Sequence, residues 1–133
     1  MSEHFALEEF LASDTARAQG IENLPSWDTV DNLNRLAVTL ELVRDMLGGV
    51  PVLVSSGFRC AALNAAVGGV ADSAHLAGLA VDFTAPDFGS VADICKKLQP
   101  HLIALEVDQL INEGGWVHLG LSDGPPRYQC FAV

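Results

Sequence analysis

The chain has 133 residues, enough for one domain around one hydrophobic core. Half of them are hydrophobic and 18% are charged, which is a globular composition and not a disordered one. The net charge of −10, with seven Lys and Arg and no basic cluster, argues against nucleic acid, whose phosphates need cations; the acidity serves solubility.

Taken in chain order, Met1-Ser2-Glu3-His4-Phe5 lacks a basic region followed by an apolar run. It therefore does not read as a secretory signal, and the expectation is a soluble chain made in the cytoplasm. No stretch reaches the ~18–20 apolar residues of a membrane span. Residues 5–12 read as a short helix with Phe5, Leu7, Phe10 and Leu11 on its apolar side, and Ser13-Asp14-Thr15 breaks it and caps another turn, Ala16 to Gln19, ended by Gly20. Asp28 to Leu47 is the clearest helix: Val30, Leu33, Leu36, Leu40, Val43 and Leu47 recur at three- and four-residue steps and make one stripe. Ser26 or Asp28 caps its start, and Gly48-Gly49 stops it. It reads as scaffold.

Pro51 to Ser55 is a β-branched apolar run, hence a strand, leading into Ser56-Gly57-Phe58-Arg59. A short helix over 61–67 and a loop over 70–74 deliver His75, and Leu79 to Thr84 reads as the next strand. There Leu79, Val81 and Phe83 take one face, while Asp82 takes the other among small neighbours. Ser90 caps a helix from Val91 to Leu98, with Val91, Ile94, Cys95 and Leu98 inward. Glu106 to Ile111 and Trp116 to Leu121 form a hairpin about Asn112-Glu113-Gly114-Gly115, and Tyr128 to Val133 adds an edge strand. His118 repeats the placing of Asp82, opposite Val117 and Leu119. Cys60, Cys95 and Cys130 are odd in number and widely spaced, so reduced, mostly buried thiols are expected. His4 and His101 are read as solvent-facing.

His75, Asp82 and His118 thus fall on strand or loop positions turned away from the core. Two imidazoles and one carboxylate suit a divalent metal, most simply zinc (Zn2+), and leave a fourth tetrahedral position for water, the pattern of a catalytic site rather than a closed structural one. The expected fold is α+β: a small antiparallel sheet carrying the metal, packed against one long helix and several short ones. Residues 1–133 are read as a single domain, with a helical N-terminal part over 5–50 and a metal-binding sheet part over 51–133.

Ser56-Gly57-Phe58-Arg59, then Leu63-Asn64-Ala65-Ala66-Val67-Gly68-Gly69, then Ser73-Ala74-His75-Leu76-Ala77-Gly78-Leu79-Ala80-Val81-Asp82, then Trp116-Val117-His118 resemble, in that order, the zinc D-alanyl-D-alanine carboxypeptidase family. That family, peptidase M15, includes many phage cell-wall lysins and resembles hedgehog signalling domains in fold. Its pattern is S-G-[YF]-R, S-x-H-x-x-G-x-A-x-D and W-x-H. The resemblance implies zinc on His75, Asp82 and His118. It also implies an oxyanion-stabilising role for Arg59, a planar and permanently charged donor, and a substrate contact at Ser73.

The family usually places Glu or Asp three residues before the last histidine, where this chain has Gly115. Glu113 is then the nearest carboxylate and the candidate general base; Asp108 and Glu106 lie further off, and Asp72 and Asp123 are outside candidates. The expected function is zinc-dependent hydrolysis of a peptidoglycan stem peptide, at a D-Ala-D-Ala or an L-Ala-D-Glu-type bond, by a monomer. A phage or prophage lysin or a virion component fits. The alternative is a catalytically weak or inactive zinc-containing module that binds the wall or builds a virion.

Overall fold

The computed structural model describes residues 1–133. Two short helices, α1 (Leu7–Leu11) and α2 (Asp14–Gln19), precede the long α3 (Trp27–Met46). Ser13 and Ser26 cap α2 and α3, each accepting a hydrogen bond from a backbone N–H three residues on. On α3, Leu33, Leu36, Leu40 and Val43 are fully buried, each stabilising the fold by about 1.5–3 kcal/mol relative to an exposed side chain. Val30 is only half-buried, and Thr29, Ala37 and Thr39 join the inner face instead. No helix is long and apolar enough to cross a membrane.

The remaining elements are β1 (Leu53–Ser56), α4 (Ala61–Ala66), a 3-10 turn at Ala74–Ala77, β2 (Ala80–Thr84), α5 (Val91–Leu98), a second 3-10 turn at Gln99–His101, β3 (Gln109–Asn112), β4 (Val117–Gly120) and β5 (Gln129–Ala132). The architecture is α+β, with one five-stranded sheet in the order β1-β2-β4-β3-β5. In β2 and β4, Val81 pairs with Leu119 and Phe83 with Val117. All four are fully buried and join α3 in a core cluster of 24 residues. The alternation within the strands decides this: the same pairing sends Asp82 and His118 together to the other face.

The sheet is mixed rather than wholly antiparallel. β1, β2, β4 and β3 pair antiparallel, but β5 lies parallel to β3. The chain leaves β4 and crosses to the far edge of β3, and Arg127 anchors the return. Its backbone N–H and guanidinium donate to the buried Asp108 carboxylate at 2.7–3.3 Å. The expected strand from Glu106 also begins later, at Gln109. Glu106 has φ +55°, a left-handed conformation that ends a turn and does not belong in a strand. The three thiols are free, with Cys95 buried and Cys60 and Cys130 half-buried. His4 is exposed, yet it is tied down: its backbone N–H and Nδ1 each lie 2.7 Å from the Glu41 carboxylate.

Candidate metal centre

The site is assembled from three places in the chain. Asp82 and His118 are cross-strand partners on β2 and β4, so their side chains meet on the face opposite the core. His75 comes from the 3-10 turn just before β2. Ser73 caps this turn, accepting from the His75 backbone N–H at 3.2 Å. Gly78 closes it at φ +73°. A Cβ on Gly78 would stand 2.8 Å from Thr29 Cγ2 and 2.9 Å from the Thr29 carbonyl, so only glycine lets the turn lie against α3.

The Ser56–Cys60 segment passes behind His75 and is held on every side. Phe58 N–H donates to the Phe10 carbonyl at 2.8 Å, and Arg59 N–H to the His75 carbonyl at 3.1 Å. The Asn23 side chain bridges it to α1, donating to the carbonyls of Leu11 and Phe58 and accepting from Cys60 N–H. Gly57 is obligatory in this packing, because a Cβ there would lie 2.6 Å from the Phe10 carbonyl oxygen and 2.8 Å from its Cα. The Gly57 carbonyl in turn accepts from His75 Nδ1 at 2.6 Å. A carbonyl can only accept, so Nδ1 carries the proton and the neutral ring presents a bare lone pair at Nε2.

Ligand atoms of His75, Asp82 and His118 all lie within 4.8 Å of one another. His118 Nδ1 is 3.0 Å from Asp82 Oδ1, and the two imidazoles meet edge to face with centroids 5.3 Å apart. His75 Nε2 comes within 3.3 Å of the same carboxylate oxygen. Nevertheless it is buried and makes no properly directed hydrogen bond. An orphaned, buried acceptor between a carboxylate and a second imidazole is what a cation would satisfy, so this cluster can hold a metal ion. Burial pushes the Asp82 carboxyl up, but the hydrogen bond from His118 and the imidazole of His75 beside it outweigh this and bring it down to about 2. The carboxylate is therefore charged and ready to ligate at any ordinary pH.

The cluster opens on a cleft of about 690 Å³ lined by Asp82, Arg59, Glu113 and Trp116, with the Ala12–Thr15 and Gly68–Val70 segments as its walls. Arg59 is half-buried. Burial lowers its pKa, an effect the nearby Asp82 charge opposes, and guanidinium remains a cation at any such value. Its Nη1 donates to Asn64 Oδ1 at 3.1 Å, while Nε is buried without a partner. Glu113 sits in the β3–β4 turn, where its backbone N–H donates to the Trp116 carbonyl at 3.1 Å. Ser73 does not line the cleft, and its hydroxyl is engaged with the His75 backbone. Asp108 is engaged by Arg127, away from the cleft.

The sequence reading gave no role to Asn64 and Asn23. The available signal was an amide on the Leu63 side of an otherwise alanine-rich helix, where a buried polar group must have partners. Asn23, in a loop, carried no comparable signal.

None of the curated proteins compared with the chain matches it. A family model described as Peptidase M15 matches residues 3–119. That span contains the N-terminal helices, all three candidate ligands, Arg59 and Glu113, and the chain belongs to the peptidase M15 family.

Proposed function

We propose that the protein is a zinc metallopeptidase that hydrolyses a peptide bond of the peptidoglycan stem peptide. The observation that carries the reading is the buried lone pair of His75 Nε2. It faces Asp82 and His118, and Asp82 lines a cleft together with a guanidinium and a separate carboxylate. His75, Asp82 and His118 would hold zinc, whose preference for two nitrogens and an oxygen with one open position they meet. Bound there, the ion would supply Lewis acidity toward the scissile carbonyl and toward water.

The remaining steps belong to the chain. Gly57 holds His75 in the ligating tautomer through Nδ1. Arg59, at the wall of the cleft, supplies its guanidinium to the carbonyl oxygen as negative charge develops. Glu113 takes a proton from the attacking water and returns it to the leaving amine. Ser73 serves by fixing the His75 turn. The bond is a terminal D-Ala-D-Ala or an internal L-Ala-D-Glu-type link, and the protein reaches the wall as a lysin or on a virion.

One observation favours a second reading. Gly115 stands where the family pattern places its carboxylate, which suits a module that grips wall peptides without turning them over. Purified peptidoglycan incubated with the chain separates the two. The metallopeptidase releases peptides or D-alanine with zinc present, stops in chelator, recovers on adding zinc back, and loses activity in Glu113→Gln. Undiminished hydrolysis in Glu113→Gln would remove the base role alone. Absence of release from every wall type, with zinc bound, would leave the binding module.

A further inference from the structure

We infer that Asn64, backed by Gly69, is the positioning residue for Arg59, holding the guanidinium in one orientation at the wall of the cleft and leaving the Nε–Nη2 edge of its fork free of protein partners. The inference rests on the role proposed above for Arg59.

Asn64 is 5% exposed, the one polar side chain of the six-residue helix α4. Alanine would suit that helix better, since asparagine competes with the helical backbone for hydrogen bonds. Here the side chain is fully committed elsewhere. Its Oδ1 accepts from Arg59 Nη1 at 3.1 Å, and its Nδ2 donates to the Val70 carbonyl at 2.9 Å. Its own carbonyl accepts from Gly69 N–H at 2.8 Å. One amide thus ties three things together: the end of α4, the Gly68–Val70 wall of the cleft, and Arg59.

The geometry is selective about which part of Arg59 is held. Nη1 is the corner of the guanidinium on the side of Cδ. Fixing it leaves the opposite edge, Nε and Nη2, without protein partners, and Nε is buried there. That edge is the one that grips a carbonyl or carboxylate oxygen with two parallel N–H bonds. Gly69 makes the arrangement possible. A Cβ at this position would overlap Asn64 Oδ1 and stand 2.7 Å from Arg59 Nη1, so any other residue would push the pair apart. Arg59 is otherwise a long side chain with many rotamers, and a donor displaced by about 1 Å can lose on the order of 10²-fold in rate.

Two measurements test this. The first needs neither metal nor substrate: nuclear relaxation of the Arg59 Nε–Hε group in the metal-free chain. It is expected to be as rigid as the backbone in the parent protein and mobile on the sub-nanosecond scale in Asn64→Ala and in Gly69→Ala. An Nε–Hε equally rigid in both variants overturns the inference, whatever the chain's activity. The second is a double-mutant cycle on zinc-dependent hydrolysis. Asn64→Ala is expected to lower kcat about 10²-fold with KM and zinc affinity within a few-fold, and to cost almost nothing further when added to Arg59→Ala. A loss that is the same in both backgrounds shows that Asn64 acts on the fold generally and sinks the positioning role. Absence of hydrolysis in the parent protein fails the proposed activity, while the relaxation experiment still decides what Asn64 does.

Discussion

Gly57→Ala is the most informative single perturbation, because Gly57 joins the packing of the N-terminal helices to the state of a candidate ligand. The added methyl would lie 2.6 Å from the Phe10 carbonyl oxygen and 2.8 Å from the Phe10 Cα, both backbone atoms that cannot rotate away. Relieving the clash moves α1 from the Ser56–Cys60 segment and lengthens the 2.8 Å bond from Phe58 N–H to the Phe10 carbonyl. Overpacking of this kind costs about 1–3 kcal/mol, and the weakened hydrogen bond about 1 more, so about 2–4 kcal/mol is expected in total. The same shift moves the Gly57 carbonyl, which fixes the His75 tautomer. Disturbing such a partner weakens metal binding by about 10–100-fold. Urea denaturation of the metal-free chain gives the first quantity, and calorimetric zinc titration of the folded chain the second. Gly124→Ala is the control: no atom lies within 4 Å of its added Cβ, so stability should stay within about 0.5 kcal/mol. A Gly57→Ala protein as stable as this control, with unchanged zinc affinity, would refute the packing argument and the link from Phe10 to His75.

Three further outcomes are expected. Ser26→Ala removes the acceptor for Thr29 N–H at the start of α3 and should cost about 0.5–2 kcal/mol in urea denaturation; no change would mean the cap is replaced by solvent. In acid, hydrogen bonds from Arg127 outweigh burial and hold the Asp108 carboxyl below its usual range, while Asp82, pushed up by burial but more strongly down by its histidines, sits at about 2. Both values are depressed relative to about 3.9 in the unfolded chain. The stability they add is therefore complete above that pH and is lost as pH falls through each folded value. The urea midpoint of the metal-free chain should drop between about pH 5 and about pH 2, and less so in Asp108→Asn; equal drops would show that the Arg127 pair contributes nothing. Finally, burial and the neighbouring Cys130 raise the Cys95 thiol to about 11, so at pH 8 it should resist a maleimide until the protein is unfolded. Labelling of Cys95 in the native chain as fast as in urea would contradict its place in the core.

What the sequence determined by itself is what depends on local period. The three- and four-residue steps along α3 reach their hydrophobic partners whatever surrounds them, and the alternation of Val81 with Asp82 and of Val117 with His118 separates core from site as soon as those segments become strands. The candidate ligands were legible for this reason, together with the ordered motifs around them. Tertiary structure decided the rest. The direction of β5 depends on Arg127 meeting Asp108 across the sheet edge, and the place of His4 on a carboxylate 37 residues away. Neither pairing leaves a periodic trace. Gly57 and Gly69 are open to any backbone conformation in a sequence; only the Phe10 backbone and the Asn64–Arg59 pair, brought against them by folding, show why a side chain is forbidden there. The same holds for the chemistry. Asp82 and His118 could be placed on one face from their strands alone, but the free lone pair on His75 Nε2 exists because a carbonyl 18 residues earlier in the chain accepts the hydrogen bond from Nδ1 and so keeps the ring's proton there.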